Sequence, residues 1–180
     1  MNEQVVLGID IGGTNTVYGL ITKDGNVIHH ESIPTNGSLP IADLLNRLDF
    51  KVNEALLSFP EIEKIMRVGI GAPNGNHFTG MIQDPPNLSW GNVDVNTLFS
   101  KTFECEVELT NDANAAALGE KHFGIAKDME DFVVITLGTG LGSGIFCGGR
   151  LLYGHDGFAG EMGHICIDVD FRLCNCGNKG

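Results

Sequence analysis

Only five residues separate the first two apolar runs of this chain. Residues 4–10 (QVVLGID) end on Asp10, and residues 16–22 (TVYGLIT) begin at Thr16. A gap that short cannot hold a crossover helix, so the second run must return antiparallel to the first. Asp24-Gly25 is a hairpin pair, and 26–33 (NVIHHESI) reads as a third strand. The chain therefore opens as an antiparallel meander. A dinucleotide-binding domain is excluded on this ground, because its first strand must feed a helix.

Beyond the meander the period changes. Leu44, Leu45, Leu48, Val52, Leu56 and Leu57 recur at helical spacing, which predicts a helix over about 39–58 with Ser38 as its N-cap and Pro60 beyond its end. Residues 65–72 (IMRVGIGA) predict a buried strand, and 73–93, rich in Pro, Gly and Asn, a loop with room for a small hairpin. Asp94 is placed to cap a short helix to about Phe103. Residues 106–110 (EVELT) predict a strand, and Asn111 or Asp112 opens an Ala-rich helix that Gly124 stops. Residues 131–137 and 143–147 then predict two strands around a Gly-rich turn. Strand, Gly/Thr turn and strand thus occur at 4–22 and again at 131–147, a hint of two related halves.

Hydrophobic residues make up 42% of the 180, enough to bury a core. The 25 glycines follow no short repeat and suggest tight turns and close approach of backbone to a ligand. Eleven Lys and Arg against 23 Asp and Glu give a net charge of −12, which argues against holding a nucleic-acid backbone. Nucleotides stay open, since backbone N–H groups and a metal ion can hold phosphates. No apolar run reaches the roughly 18 residues of a membrane span, and the first residues have no leader-like pattern. A cytoplasmic protein with no membrane partner is expected. Its five cysteines, an odd number, fit free thiols or a metal site better than a disulfide framework.

Four segments carry chemistry. In Asp10-Ile-Gly-Gly-Thr-Asn-Thr16 a carboxylate ends a buried strand, Gly12 and Gly13 let backbone approach an anion, and Thr14, Asn15 and Thr16 add neutral donors. An ordinary hairpin turn would read much the same. Thr136-Leu-Gly-Thr-Gly-Leu-Gly-Ser-Gly144 repeats that logic. It matches neither G-x-G-x-x-G nor the Walker pattern. In Leu109-Thr-Asn-Asp-Ala-Asn-Ala-Ala-Ala-Leu-Gly-Glu120, Asp112 lies between strand end and helix start. It is placed to act as a base or simply to cap the helix. In Gly157-Phe-Ala-Gly-Glu-Met-Gly-His164, Glu161 and His164 share a helical face. With Cys174 and Cys176, His164 offers an imidazole and two thiols, a donor set that favours Zn²⁺.

In this order and spacing, over nearly all 180 residues, the four segments resemble the ROK family of bacterial sugar kinases and repressors, within the actin-like ATPase superfamily. The glucokinase-like kinases are the nearest in pattern. The resemblance implies an α/β, actin-like (ribonuclease H-like) fold: a complete N-terminal domain at 1–115 and the start of a similar second domain at 116–180. It implies a first phosphate loop at Asp10, Gly12, Gly13, Thr14, Asn15 and Thr16, and a second at Gly138, Thr139 and Gly140. Gly71, Ala72, Pro73, Asn74, Asn87, Asn111, Glu161 and His164 become sugar-site residues, with Asp112 the catalytic base that also touches the sugar. His164, Cys174 and Cys176 become ligands of a structural zinc. ATP, Mg²⁺ and a hexose, glucose first, are the implied cofactors and substrate, and a homodimer the implied assembly of the full-length form.

The family pattern continues past Cys-x-Cys-Gly-x-x-Gly to a further Cys and a Glu, so these residues read as the front portion of a longer enzyme, and this length alone as a possible inactive fragment. Repressors of the family carry a DNA-binding segment ahead of the first strand. Here that strand begins by about residue 4 and the first phosphate loop is intact, which favours a kinase over a sugar sensor.

Overall fold

The computed structural model describes residues 3–138, 140–170, 172–174 and 176–179. The chain divides into two compact units, 1–112 and 113–180.

The first unit begins with the expected meander: β1 (Glu3–Ile11), β2 (Asn15–Thr22) and β3 (Val27–Pro34). Helix α1 (Ile41–Leu56) follows, then β4 (Ile62–Ala72). Two-residue strands β5 (Gly75–Asn76), β6 (Met81–Ile82) and β7 (Val93–Asp94) form a small separate sheet within the Pro/Gly-rich segment. Helix α2 (Val95–Phe103) and β8 (Glu106–Asn111) complete the unit. The main sheet runs β3-β2-β1-β4-β8, antiparallel through the meander and parallel from β1 to β4 to β8.

Strand alternation sorts the two faces. Leu7 pairs with Val68 and Val68 with Val107; Ile9 pairs with Ile70 and Ile70 with Leu109. All six are buried and join Leu44, Leu48 and Val52 of α1 and Phe99 of α2 in one core. The opposite face carries Gly19, Gly8 and Gly69 in one row, and Asp10, Gly71 and Thr110 in the next.

Two helix starts contrast. Asp94 caps α2 as expected, accepting the Thr97 backbone N–H at 2.9 Å and the Thr97 hydroxyl at 2.7 Å. Ser38 does not cap α1. It lies in a turn two residues earlier, and Pro40, whose ring fixes φ at −56°, takes the N-cap position without a side-chain bond.

The second unit holds α3 (Asp112–Phe123, whose first residue closes the first unit), β9 (Phe132–Leu137), β10 (Leu141–Cys147), β11 (Arg150–Leu151) and a 3₁₀ turn at Met162–His164. Its sheet runs β11-β10-β9. The small residues fit a close helix–sheet approach: an added Cβ at Gly144 would lie 2.5 Å from the Ala117 Cβ, and one at Gly142 3.0 Å from that of Ala113. Among the described residues no helix is long and apolar enough to cross a membrane.

Candidate active site

Three parallel strands end side by side in the first unit, and ligands of open α/β sheets sit at such carboxyl ends. Asp10 of β1 pairs with Gly71 of β4, Gly71 with Thr110 of β8, and Ala72 with Asn111. Gly71, between Asp10 and Thr110, has no side chain and is itself buried. Asp112 follows Asn111 at once and is exposed as the first residue of α3. The Thr110 hydroxyl oxygen is buried with no hydrogen-bond partner in the structure.

Burial first, and the negative charge of Asp112 second, hold the Asp10 carboxyl above the ordinary aspartate value. The Asp10 side chain still reaches solvent. The two carboxylates thus sense one another at the open edge of the sheet. Negative charge crowded at Asp10 favours a bound cation.

The turn after Asp10 is tight. Gly12 N–H donates to the Asn15 carbonyl at 3.0 Å, and an added Cβ at Gly12 would lie 2.7 Å from that same oxygen. Gly13, Thr14 and Asn15 are exposed. Thr16 is not: it is fully buried, with its hydroxyl 2.9 Å from that of Thr35. It supports the turn from beneath. An added Cβ at Gly13 would lie 3.1 Å from the Cβ of Asn87, so the Pro85-Pro86-Asn87-Leu88 loop lies directly against the glycine turn.

Asn74 takes φ +53°. Its amide donates to the carbonyls of Gln83 at 2.9 Å and Asp84 at 3.2 Å, bracing the loop that leads to Asn87. Gly71, Ala72, Pro73, Asn74, Asn111 and Asp112 therefore share one end of β4 and β8 with Asp10. What the sequence did not reveal is the support: Thr35, bonded to the glycine turn, and Arg47, bonded to Pro34 at the end of β3 and to Thr35, carry no local pattern that marks them.

In the second unit, Gly138 N–H donates to the Gly140 carbonyl at 3.0 Å in the turn between β9 and β10, and both glycines are open to solvent. Thr139 lies outside the described residues. Ser143 donates to the Gly160 carbonyl and accepts from Met162 N–H at 3.3 Å, fixing the 3₁₀ turn. On that turn Glu161 Oε2 lies 4.0 Å from His164 Nε2. The donor atoms of His164, Cys174 and Cys176 all lie within 4.8 Å of one another, close enough for one ion to draw them together.

The ROK family profile matches residues 6–180. The chain is 35% identical to a glucokinase of Thermotoga maritima, over 100% of this chain and 56% of that protein. It superposes on a ROK family glucokinase of Streptomyces griseus, solved with glucose and AMPPNP, with a TM-score of 0.80 and 32% identity, covering 98% of this chain and 55% of that one. A ROK family transcriptional regulator, a homologue of the E. coli MLC protein, superposes with a TM-score of 0.86 and 30% identity over 99% of this chain and 45% of its own. The chain thus spans about half the length of the relatives it matches. The meander continued by parallel strands is the actin-like, ribonuclease H-like arrangement. The chain belongs to the ROK family.

Proposed function

We propose that the protein carrying this chain is an ATP-dependent sugar kinase of the hexokinase type, moving the γ-phosphoryl of MgATP to a hexose hydroxyl, with O6 of glucose as the first substrate to test. One observation carries the reading: the glycine turn, Asp10 and Asp112 meet at the carboxyl edge of β1, β4 and β8. The likeness to glucokinases supports it.

Asp112 takes the proton from the sugar hydroxyl as that oxygen attacks the γ-phosphorus. The bond from phosphorus to the β–γ bridging oxygen breaks, and ADP leaves with the electron pair. The backbone at Gly12 and the exposed Gly13, with Thr14 and Asn15, holds phosphate oxygens, and Gly138, Thr139 and Gly140 form a second phosphate loop. Gly71, Ala72, Pro73 and Asn74 line the sugar site, Asn111, Glu161 and His164 bind hydroxyls, and Asn87 closes over them. Asp10 suits a Mg²⁺ ion, because its crowded negative charge is what a divalent cation relieves; the ion would neutralise charge on the phosphates.

His164, Cys174 and Cys176 fit zinc by donor chemistry and spacing, and the ion would tie the 3₁₀ turn in place. In this reading residues 1–115 form the N-terminal actin-like domain and 116–180 begin a second one, in a cytoplasmic homodimer.

The likeness to a transcriptional regulator supports a second reading, a sugar-binding regulator without turnover. Asp112→Asn in the full-length protein separates the outcomes, read by ADP release against a hexose panel and by sugar binding. The kinase reading expects turnover to fall roughly 10²–10⁴-fold with sugar binding kept, the usual worth of a general base. Turnover within a few-fold of the parent refutes Asp112 as the base. Sugar binding with no phosphoryl transfer by the parent protein favours the regulator.

A further inference from the structure

The glycine turn does not hold itself. Thr35, 1% exposed, grips it three ways: its N–H donates to the Thr14 carbonyl at 2.8 Å, its hydroxyl donates to the Gly12 carbonyl at 2.7 Å, and its oxygen lies 2.9 Å from the Thr16 hydroxyl. A hydroxyl has one proton. With that of Thr35 given to Gly12, Thr16 is the donor in the third bond. Every polar capacity of Thr35 on this side is thus committed to the turn between β1 and β2.

Thr35 is held from the other side by α1. Arg47 donates to the carbonyls of Pro34 at 2.6 Å and Thr35 at 3.1 Å, and its Nε is fixed by Asp43 at 2.8 Å. The segment then runs on to the opposite loop. Ser89 N–H donates to the Gly37 carbonyl at 2.8 Å, and Trp90 Nε1 donates to the Leu39 carbonyl at 2.8 Å. Gly37 sits so close to Leu88 that an added Cβ would collide with its Cδ2. One short strap, residues 35–39, therefore holds both the glycine turn and the loop bearing Asn87.

We infer that Thr35 and Trp90 are positioning residues at the two ends of this strap, Thr35 for the nucleotide phosphates and Trp90 for the sugar. The inference rests on the kinase reading for the identity of the two ligands. Thr35 sets the spacing of the Gly12 and Thr14 carbonyls, and so the direction of the N–H groups between them. Trp90 fixes the height of the Asn87 loop over the same turn.

The test uses Thr35→Val, Thr35→Ser and Trp90→Phe in the full-length protein. It reads KM for MgATP and for glucose, thermal unfolding, and direct MgATP binding. Thr35→Val removes the hydroxyl and keeps the shape. It is expected to raise KM for MgATP by roughly fivefold to thirtyfold, the usual effect of losing one or two buried hydrogen bonds, and to leave KM for the sugar within about twofold. Thr35→Ser restores the parent value, and Trp90→Phe raises the sugar KM alone. Equal rises in both constants with a lowered Tm in each variant, or no rise in any, overturn the inference. If the parent binds MgATP but phosphorylates no sugar, the kinase reading fails, and the ratio of MgATP affinities between parent and Thr35→Val still decides for or against Thr35. If the parent binds no nucleotide, both fall.

Discussion

Asp10 is a charge the fold accommodates at a cost. Burial and Asp112 both favour its protonated form, so the folded chain holds this proton more firmly than the unfolded chain does. Ionised Asp10 therefore weakens the fold. The penalty is complete at pH values above its folded-state titration and disappears on acidification below the ordinary aspartate range. Asp10→Asn removes the charge and nearly keeps the shape. The variant is expected to have a higher Tm than the parent at pH 7 in metal-free buffer, with the gap closing as the pH falls. Mg²⁺ should raise the Tm of the parent and not that of the variant. An Asp10→Asn protein that melts below the parent at pH 7 without metal would show that the carboxylate is a structural acceptor instead. The trade of stability for function at such a site is a general pattern.

Among the elements, α2 is the clearest case of local sequence dictating structure. The Thr97 hydroxyl first, and its backbone N–H second, hold the Asp94 carboxyl below the ordinary aspartate value. A lowered value stabilises the fold at pH above the unfolded titration and loses that contribution on acidification. Asp94→Ala is expected to cost about 1 kcal/mol at pH 7, the usual worth of a cap, in urea unfolding. The difference should shrink in acid, and a variant equal to the parent at neutral pH would show that Val95 and Phe99 hold the helix alone. This cap could be read from the sequence because the donor and acceptor are three residues apart. So could the meander, whose Asp24-Gly25 turn and short gaps leave one topology, and the break between β8 and α3 at Asn111-Asp112. The start of α1 could not: Ser38 is a good cap by type, but Pro40 fixes the chain two residues later. Thr35 and Arg47 were illegible for a different reason. Thr35 meets Gly12 across 23 positions and Arg47 meets Pro34 across 13, and neither distance has a period to betray it. The coupling of Asp10 to Asp112 likewise exists only once β4 lies between β1 and β8.

At the scale of the whole chain the two units are unequal in what they bury. The extended apolar core runs from Val5 to Leu109 and lies in the first unit. Among the described residues of the second unit the buried apolar ones are Ala113, Ala117, Ala126 and Phe146, while β9 leaves Val133, Ile135 and Leu137 exposed on one face. Amides open most rarely where apolar burial is densest. Hydrogen exchange is therefore expected to be slowest in β1, β4 and β8, and faster in β9 and β10. Metal should act on one region only. Structural zinc couples its binding energy to local folding, so residues 161–170, 172–174 and 176–179 should gain protection when Zn²⁺ is added and lose it with a chelator. The amides of β1 and β4 should exchange alike in both conditions. Equal exchange of the His164–Cys176 region with and without Zn²⁺ would mean that these donors lie near one another without holding an ion, and the structural role assigned to them would have to be withdrawn.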